Sequence, residues 1–298
     1  MAKMEQHSTE LKLNVPWGHV VAKAYGSSTG KFVLVVHGLL DNLGSFTRLI
    51  KYLPMEHYYV CIDLPGHGRS SHFPSWMTLD FFSFIHAIYY ILEALQWKTC
   101  IYLGHSLGAQ LGIAFSVIHP HRIEKLIALD GLIPIFAQTE ETFMESFKEL
   151  FTLPIAANSN SKITLYTKEE ILYALKNMRF SVLSSDAAKA MFDRAVTEVN
   201  GKYKYNRDMR LKRKIHTLLD LKGLIYILRA LSVPLYLFIG SQGIQLYFRE
   251  MSKVVESINP KSLSQLSYIE GNHDFHNNYP ERVAPFICQI LCENSSKL

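Results

Sequence analysis

The chain has 298 residues, 48% apolar and 19% charged, with a formal net charge of +5. That balance suits one large α/β domain, or a core with an inserted subdomain, and no disulfide is needed to stabilise a chain of this size. The modest charge is concentrated in one stretch and gives no ground for nucleic-acid binding. Cys61, Cys100, Cys288 and Cys292 form no CxxC pair or Cys/His cluster, which argues against zinc, and all four are expected as reduced thiols of an intracellular protein. The polar N-terminal residues lack the apolar stretch of a secretory signal, and no run of about 18 apolar residues is long enough for a membrane span.

Strand-like segments at 10–15 and 18–25 flank Pro16-Trp17-Gly18 and read as an antiparallel hairpin. Segments at 32–37, 58–63, 98–103, 124–130 and 233–239 are almost continuously apolar, the pattern of parallel strands covered on both faces. A further strand is expected at 264–269, and helices at about 78–95, 107–119, 245–258 and 279–292. This alternation predicts an eight-stranded, mostly parallel sheet with helices on both faces. It breaks between 132 and 229, where only helical patterns are legible, at 141–151, 168–178 and 186–196. The expected organisation is therefore a core of residues 1–131 and 230–298, with a helical cap of residues 132–229 over the C-terminal strand ends, where open α/β sheets bind ligands.

The chemistry begins at Gly104-His105-Ser106-Leu107-Gly108, between the fifth strand and the following helix. This is a nucleophile elbow in its required strand–turn–helix setting: a strained turn lifts Ser106 Oγ clear of the sheet, and the glycines fit where strand and helix crowd. A serine hydroxyl needs a base, and the base needs an acid. His273 follows the last strand and is the expected base, with His276 as its competitor; the other histidines read as surface or satisfied core groups. After the strand ending at Ile239, Gly240-Ser241-Gln242-Gly243 offers no carboxylate. Asp130, at the end of the strand beside the nucleophile strand, is the candidate acid, against the plainer reading that it caps a turn. Asp63 reads as structural. The backbone N–H groups of Leu39 and Leu107 are candidate oxyanion donors. Gly38, His105 and Phe136 are candidate substrate contacts.

Together "HGLLDN", "DLPGHGRSS", "GHSLGA", "IALDG" and "GNHDFH" resemble the α/β-hydrolase superfamily, and "ELKLNVPWGHVVAKAYG" (residues 10–26) with "NRDMRL" (206–211) resembles its serine hydrolase-like, or kraken-type, family. The resemblance covers nearly the whole chain. It implies an α/β-hydrolase fold and a Ser–acid–His site, with no cofactor and no metal, and it supplies no substrate. The missing carboxylate after Gly240 departs from the superfamily's commonest arrangement and shifts the acid to Asp130, a position other branches use.

The leading expectation is a serine esterase or thioesterase acting on a small apolar or acyl substrate through an acyl-enzyme. A ligand-binding protein of weak turnover and a carbon–carbon bond hydrolase are the alternatives. Serine at position 106 disfavours a dehalogenase or epoxide hydrolase, which carry aspartate there. Lys202–Lys214 holds seven basic residues in thirteen. It reads either as a solvated face or as a positive lip for an anionic substrate such as an acyl-CoA, with Arg207 and Asp208 placed to pair locally. Phe143, Phe147, Phe151 and Leu172 read as core or as an acyl pocket. The terminal Ser296-Lys297-Leu298 resembles the peroxisomal import signal, which implies an import receptor as partner and the peroxisome as location, with the cytoplasm as the alternative.

Overall fold

The computed structural model describes residues 7–132, 143–145, 147–148, 152, 164–212 and 220–293. Ten strands and nine α-helices lie within them. In chain order they are β1 (Ser8–Val15), β2 (Gly18–Gly26), β3 (Phe32–Val36), α1 (Thr47–Ile50), β4 (Tyr58–Ile62), α2 (Phe81–Ala94), β5 (Cys100–His105), α3 (Leu107–Ile118) and β6 (Ile123–Leu129). Then come α4 (Lys168–Asn177), α5 (Ser185–Ala195), β7 (Val196–Val199), β8 (Lys202–Tyr205), α6 (Leu221–Ala230) and β9 (Leu235–Gln242). The chain finishes with α7 (Met251–Glu256), β10 (Leu263–Asn272), α8 (Phe275–Asn278) and α9 (Pro280–Cys292). No helix among the described residues is long and apolar enough to cross a membrane.

Eight strands form one sheet in the order β1-β2-β4-β3-β5-β6-β9-β10. β1 pairs with β2, and β2 with β4, antiparallel; every other pairing is parallel. The continuous apolar runs are explained by burial on both faces. In β3, Leu34 and Val36 join the core under α2, α3, α6 and α7, while Val33 and Val35 join the core under α1 and α9. Alternate side chains therefore enter opposite layers, and neither face tolerates a polar residue.

The segment between β6 and β9 is not all-helical. A two-stranded antiparallel sheet, β7–β8, follows α5 and is extended by a bridge from Tyr203 to Tyr166. Asn200-Gly201 at its turn both adopt positive φ, the backbone a tight hairpin requires. Helical periodicity cannot reveal four-residue strands, most of whose residues are half-buried or exposed. α4 begins with a full capping box, Thr167 and Glu170. Ile171, Leu175, Ala187, Ala188, Met191 and Phe192 give α4 and α5 a small core of their own. α6, by contrast, sends Leu224 and Leu228 into the main core.

α5 is fastened to the sheet at two points. Gly44 has no side chain, and a Cβ there would strike the Ala190 carbonyl, so α5 lies directly on the loop after β3. Arg194 is buried; its Nε donates to fully buried Asp63 at 2.9 Å, and its Nη2 lies in ion-pair contact with the same carboxylate at 2.7 Å. The same Asp63 accepts from the Leu43 and Arg69 amides. Asp63 is thus structural, as read from sequence, and its partner comes from a segment 131 residues away. Asp63→Ala should lower unfolding free energy by about 3–5 kcal/mol, because it strands a buried guanidinium. Arg194 Nη1 also donates to Glu10 Oε2 at 2.7 Å; urea denaturation followed by circular dichroism checks the expectation, and a loss below about 1 kcal/mol would show that Glu10 alone satisfies Arg194.

Candidate active site

Ser106 sits between β5 and α3 with φ 51° and ψ −119°, a strained conformation for a non-glycine residue. The sequence dictates this turn by crowding. A Cβ on Gly104 would collide with the Ala109 amide of α3, and one on Gly108 with the Val36 carbonyl of β3. Gly131 has the same role beneath the Ser106 carbonyl. Helix and strands therefore approach backbone to backbone, and the serine side chain is pushed outward. Leu40 and Asp130 also adopt positive φ, so three of the five non-glycine residues in that region among the described residues surround one site.

Asp130 and His273 meet, with 2.6 Å between Oδ2 and Nδ1. Asp130 leaves β6 with its amide bonded to Phe238 O of β9, and its carboxylate accepts from the Gly240 amide (3.0 Å) and the Ile244 amide (3.2 Å). This explains the glycines where a carboxylate was absent from the sequence pattern. A Cβ on Gly243 would occupy the space of the Asp130 carboxylate. The turn after β9 carries no carboxylate; it leaves a berth for the carboxylate of the neighbouring strand.

The buried histidines divide by partner. Burial pushes His37 down to about 4 and His67 and His105 down to about 3, and it holds His276 well below the ordinary histidine value. Burial also opposes a charge on His273, but the hydrogen bond and charge of Asp130, with Asp274 and Asp41 beyond, carry its pKa above the ordinary value. His273 is the one of these five in contact with a carboxylate at hydrogen-bond distance. His276, the competing base, is fully buried against Phe46 and His105, and neither ring nitrogen has a partner among the described residues. Among the described residues it has no hydrogen bond to a carboxylate and does not line the cavity.

His37 and His67 are satisfied. His37 Nδ1 donates to Gly38 O and its Nε2 accepts from the Leu64 amide; His67 Nε2 accepts from the Leu40 amide. Two neutral rings thus tie the loop after β3 to the loop after β4. With the Leu40 amide engaged, Leu39 is the neighbouring amide beside the cavity. Leu107 heads α3, where the first amides have no intrahelical acceptor.

Gly38, Leu39, His105, Ser106 and His273 all border one cavity of about 1000 Å³. His105 takes part in the wall but is occupied: its Nε2 lies 2.9 Å from His273 O, and this donor bond fixes its tautomer. Phe136 and Phe151 fall outside the described residues. Phe143 and Phe147 stack on each other at 6.2 Å and are exposed, lying in neither the core nor the cavity wall. Leu172 packs on the α4–α5 core.

Sequence reasoning missed Arg179, Asp41 and Asp274. Arg179 Nη2 lies 3.0 Å from Asp41 Oδ1 and 2.7 Å from Asp274 Oδ1. It joins the loop after β3, the loop after β10 and the segment after α4. Burial pushes Asp41 above the usual carboxylate range although Arg179 pulls it down. Burial also opposes a charge on Asp274, yet Arg179, the nearby histidines and the Ser181 hydroxyl hold it below that range. Asp41, His105 and Asp274 approach within 4.8 Å, close enough for a metal ion, but the guanidinium already supplies their cation. "GNHDFH" carries Asp274 beside His273, which was the available signal; Arg179 had none, since its partners lie 138 and 95 positions away in a chain read locally.

The basic segment separates into roles. Asp208 pairs with Arg210 at 2.6 Å, not with Arg207. Arg210 also donates to the Phe73, Pro74 and Met77 carbonyls, which makes it a strut between segments. Arg207 and Lys212 border the cavity. Gly243→Ala should displace Asp130 and lower the titration midpoint of His273, read from its imidazole NMR signals, while the far-ultraviolet circular dichroism spectrum is retained, because a single methyl group in a filled berth costs about 1–3 kcal/mol. An unchanged midpoint would show that the added methyl group leaves the contact between Asp130 and His273 intact.

A family model described as alpha/beta hydrolase fold matches residues 31–243. Serine hydrolase-like protein 2 of Homo sapiens is 31% identical over 300 residues, covering 95% of this chain and 94% of that one. The serine hydrolase-like protein of Danio rerio is 30% identical over 294 residues, covering 97% and 90%. Among solved structures, the thioesterase domain from the curacin biosynthetic pathway shares the fold with a TM-score of 0.80 at 19% identity, covering 95% of this chain and 99% of that one. A carboxyl-supported histidine beside an elbow serine, on this sheet order and with these relatives, places the chain in the serine hydrolase-like family of α/β hydrolases.

Proposed function

We propose that this hydrolase is a serine esterase or thioesterase, with Ser106 as nucleophile, His273 as base and Asp130 as the acid that orients it. The observation that carries this reading is the 2.6 Å contact between Asp130 Oδ2 and His273 Nδ1, made at the rim of the same cavity that Ser106 borders. With Nδ1 held by the carboxylate, the ring presents Nε2 as its basic nitrogen.

The chemistry follows from those positions. Ser106 Oγ bonds to the acyl carbon and its proton passes to His273 Nε2. The carbonyl oxygen becomes an oxyanion that accepts from the Leu39 and Leu107 amides. His273 returns the proton to the departing oxygen or sulfur as that bond to carbon breaks. Water then attacks the acyl-enzyme, losing its proton to His273, which finally reprotonates Ser106 as the acid leaves. Asp130 keeps its charge and stabilises the transient imidazolium. The alternative of a ligand-binding protein rests on the missing carboxylate after β9, and the approach of Asp130 to His273 favours hydrolysis over it.

A fluorophosphonate probe should label the wild-type protein stoichiometrically by intact mass, and Ser106→Ala should abolish labelling. A folded wild-type protein that resists the probe would defeat the proposal. The base works only when neutral, so acylation should rise with pH through a midpoint above the ordinary histidine value of about 6.5. Asp130→Asn removes the group that raises His273. It should lower that midpoint and cut turnover by roughly 10³–10⁴. Stopped-flow acylation across pH measures both, and a midpoint unmoved in Asp130→Asn would assign the acid elsewhere.

A further inference from the structure

Of the charged residues that border the cavity, Asp41, Arg179 and Glu170 are already engaged. Arg179 is neutralised by Asp41 and Asp274. Glu170 accepts from the Thr167 amide in the cap of α4. Glu169 is exposed on the same helix turn. Arg207 is different. Its Nε is buried with no hydrogen-bond partner, and no carboxylate pairs with it among the described residues. Its guanidinium stacks on the Tyr205 ring, 4.2 Å from the centroid. Lys212, exposed and without an ion-pair partner among the described residues, stands on the same wall.

The other well-buried guanidiniums show how the chain usually treats such a group. Arg179, Arg194 and Arg210 each face a carboxylate at 3.0 Å or less. A partly buried cation without a counter-ion is costly, and stacking on an aromatic face offsets only part of that cost. The stack also has a geometric consequence. A guanidinium stacked by one face can still donate through its edge, whose paired N–H groups have the spacing that two oxygens of a phosphate or carboxylate accept.

We propose that Arg207, assisted by Lys212, anchors an oxyanion group of the substrate, so that the preferred ester or thioester is anionic. This rests on the esterase or thioesterase reading above. The core contributes Ser106 and His273 to the cavity, and the inserted segment contributes Arg207 and Lys212. One substrate bridging them spends binding energy at the anchor to position its carbonyl at the serine. Phosphate on a thioester's leaving group and carboxylate at the far end of an acyl chain share this chemistry, and matched substrates separate them.

The test compares kcat/KM for two pairs of equal reacting groups. One pair is p-nitrophenyl hydrogen glutarate against p-nitrophenyl valerate; the other is butyryl-CoA against S-butyryl-N-acetylcysteamine. The wild-type protein should prefer the anionic member of one pair, and the responding pair identifies carboxylate or phosphate. Arg207→Gln should reduce that anionic-to-neutral ratio about 10- to 100-fold, chiefly through KM, and Arg207→Lys should restore part of it. An unchanged ratio in Arg207→Gln overturns the inference. Should that variant not fold, the wild-type ratio decides, and no preference for either anionic member overturns it equally. Turnover of the neutral members without charge preference defeats this inference alone. Failure of all four substrates together with absent fluorophosphonate labelling defeats the hydrolytic reading and this inference with it.

Discussion

The position of one buried carboxylate governs the rest of the site. Asp130 must leave the end of β6, cross the end of β9 and arrive at His273 in a setting from which water is excluded. It does so because two backbone amides of the β9 turn accept the burden of solvation and because Gly243 leaves room for the group. A buried polar group without such partners would carry the full cost of lost hydration. Once it is held, a single imidazole is lifted above its ordinary pKa in a cluster where burial depresses its neighbours. The difference between His273 and His276, three residues apart, is therefore one of partners rather than of depth.

A second layer of ion pairs binds the inserted segment to the strand ends. Arg194 reaches Asp63 after β4, and Arg179 reaches Asp41 after β3 and Asp274 after β10. Side-chain amides add to this: Asn42 donates to Met191 O, Asn272 to Val182 O, and the Ser184 amide donates to Asn278. The loops that carry Leu39 and His273 are thus held by the same segment that walls the cavity. A serine site of this kind needs both loops in register to within a fraction of an ångström, and buried pairs of fixed geometry supply that register better than apolar contact does. The cost is that the inserted segment cannot be removed without leaving several charges buried alone.

Strain is concentrated where these layers meet. Leu40, Ser106 and Asp130 adopt left-handed backbone that side chains disfavour, and each is over-determined by its surroundings. Leu40 is held through its amide by His67, Asp130 through both amide and carboxylate, and Ser106 by the close contact of α3 with β3 and β5. Neutral histidines suit this task, since each offers one donor and one acceptor without a charge to solvate.

Much of this was legible in the linear chain. Continuous apolar runs dictated a parallel sheet covered on both faces, because no strand with an exposed face reads that way. The Gly-x-Ser-x-Gly pattern dictated the elbow, because only glycine admits the backbone contacts that Gly104 and Gly108 make. Asp130 and His273 could be paired from strand order alone. Tertiary structure decided the remainder. That Gly243 is a berth for Asp130, that Asp208 chooses Arg210 over Arg207, that Arg179 binds two carboxylates far along the chain, and that β7–β8 interrupts the helices all depend on contacts between distant segments. Local periodicity and spacing record what a residue's neighbours in sequence require of it. A counter-ion, a collision or a cavity wall is chosen by proximity in space, and sequence signals that choice only where strand order brings two segment ends together, as it does for Asp130 and His273.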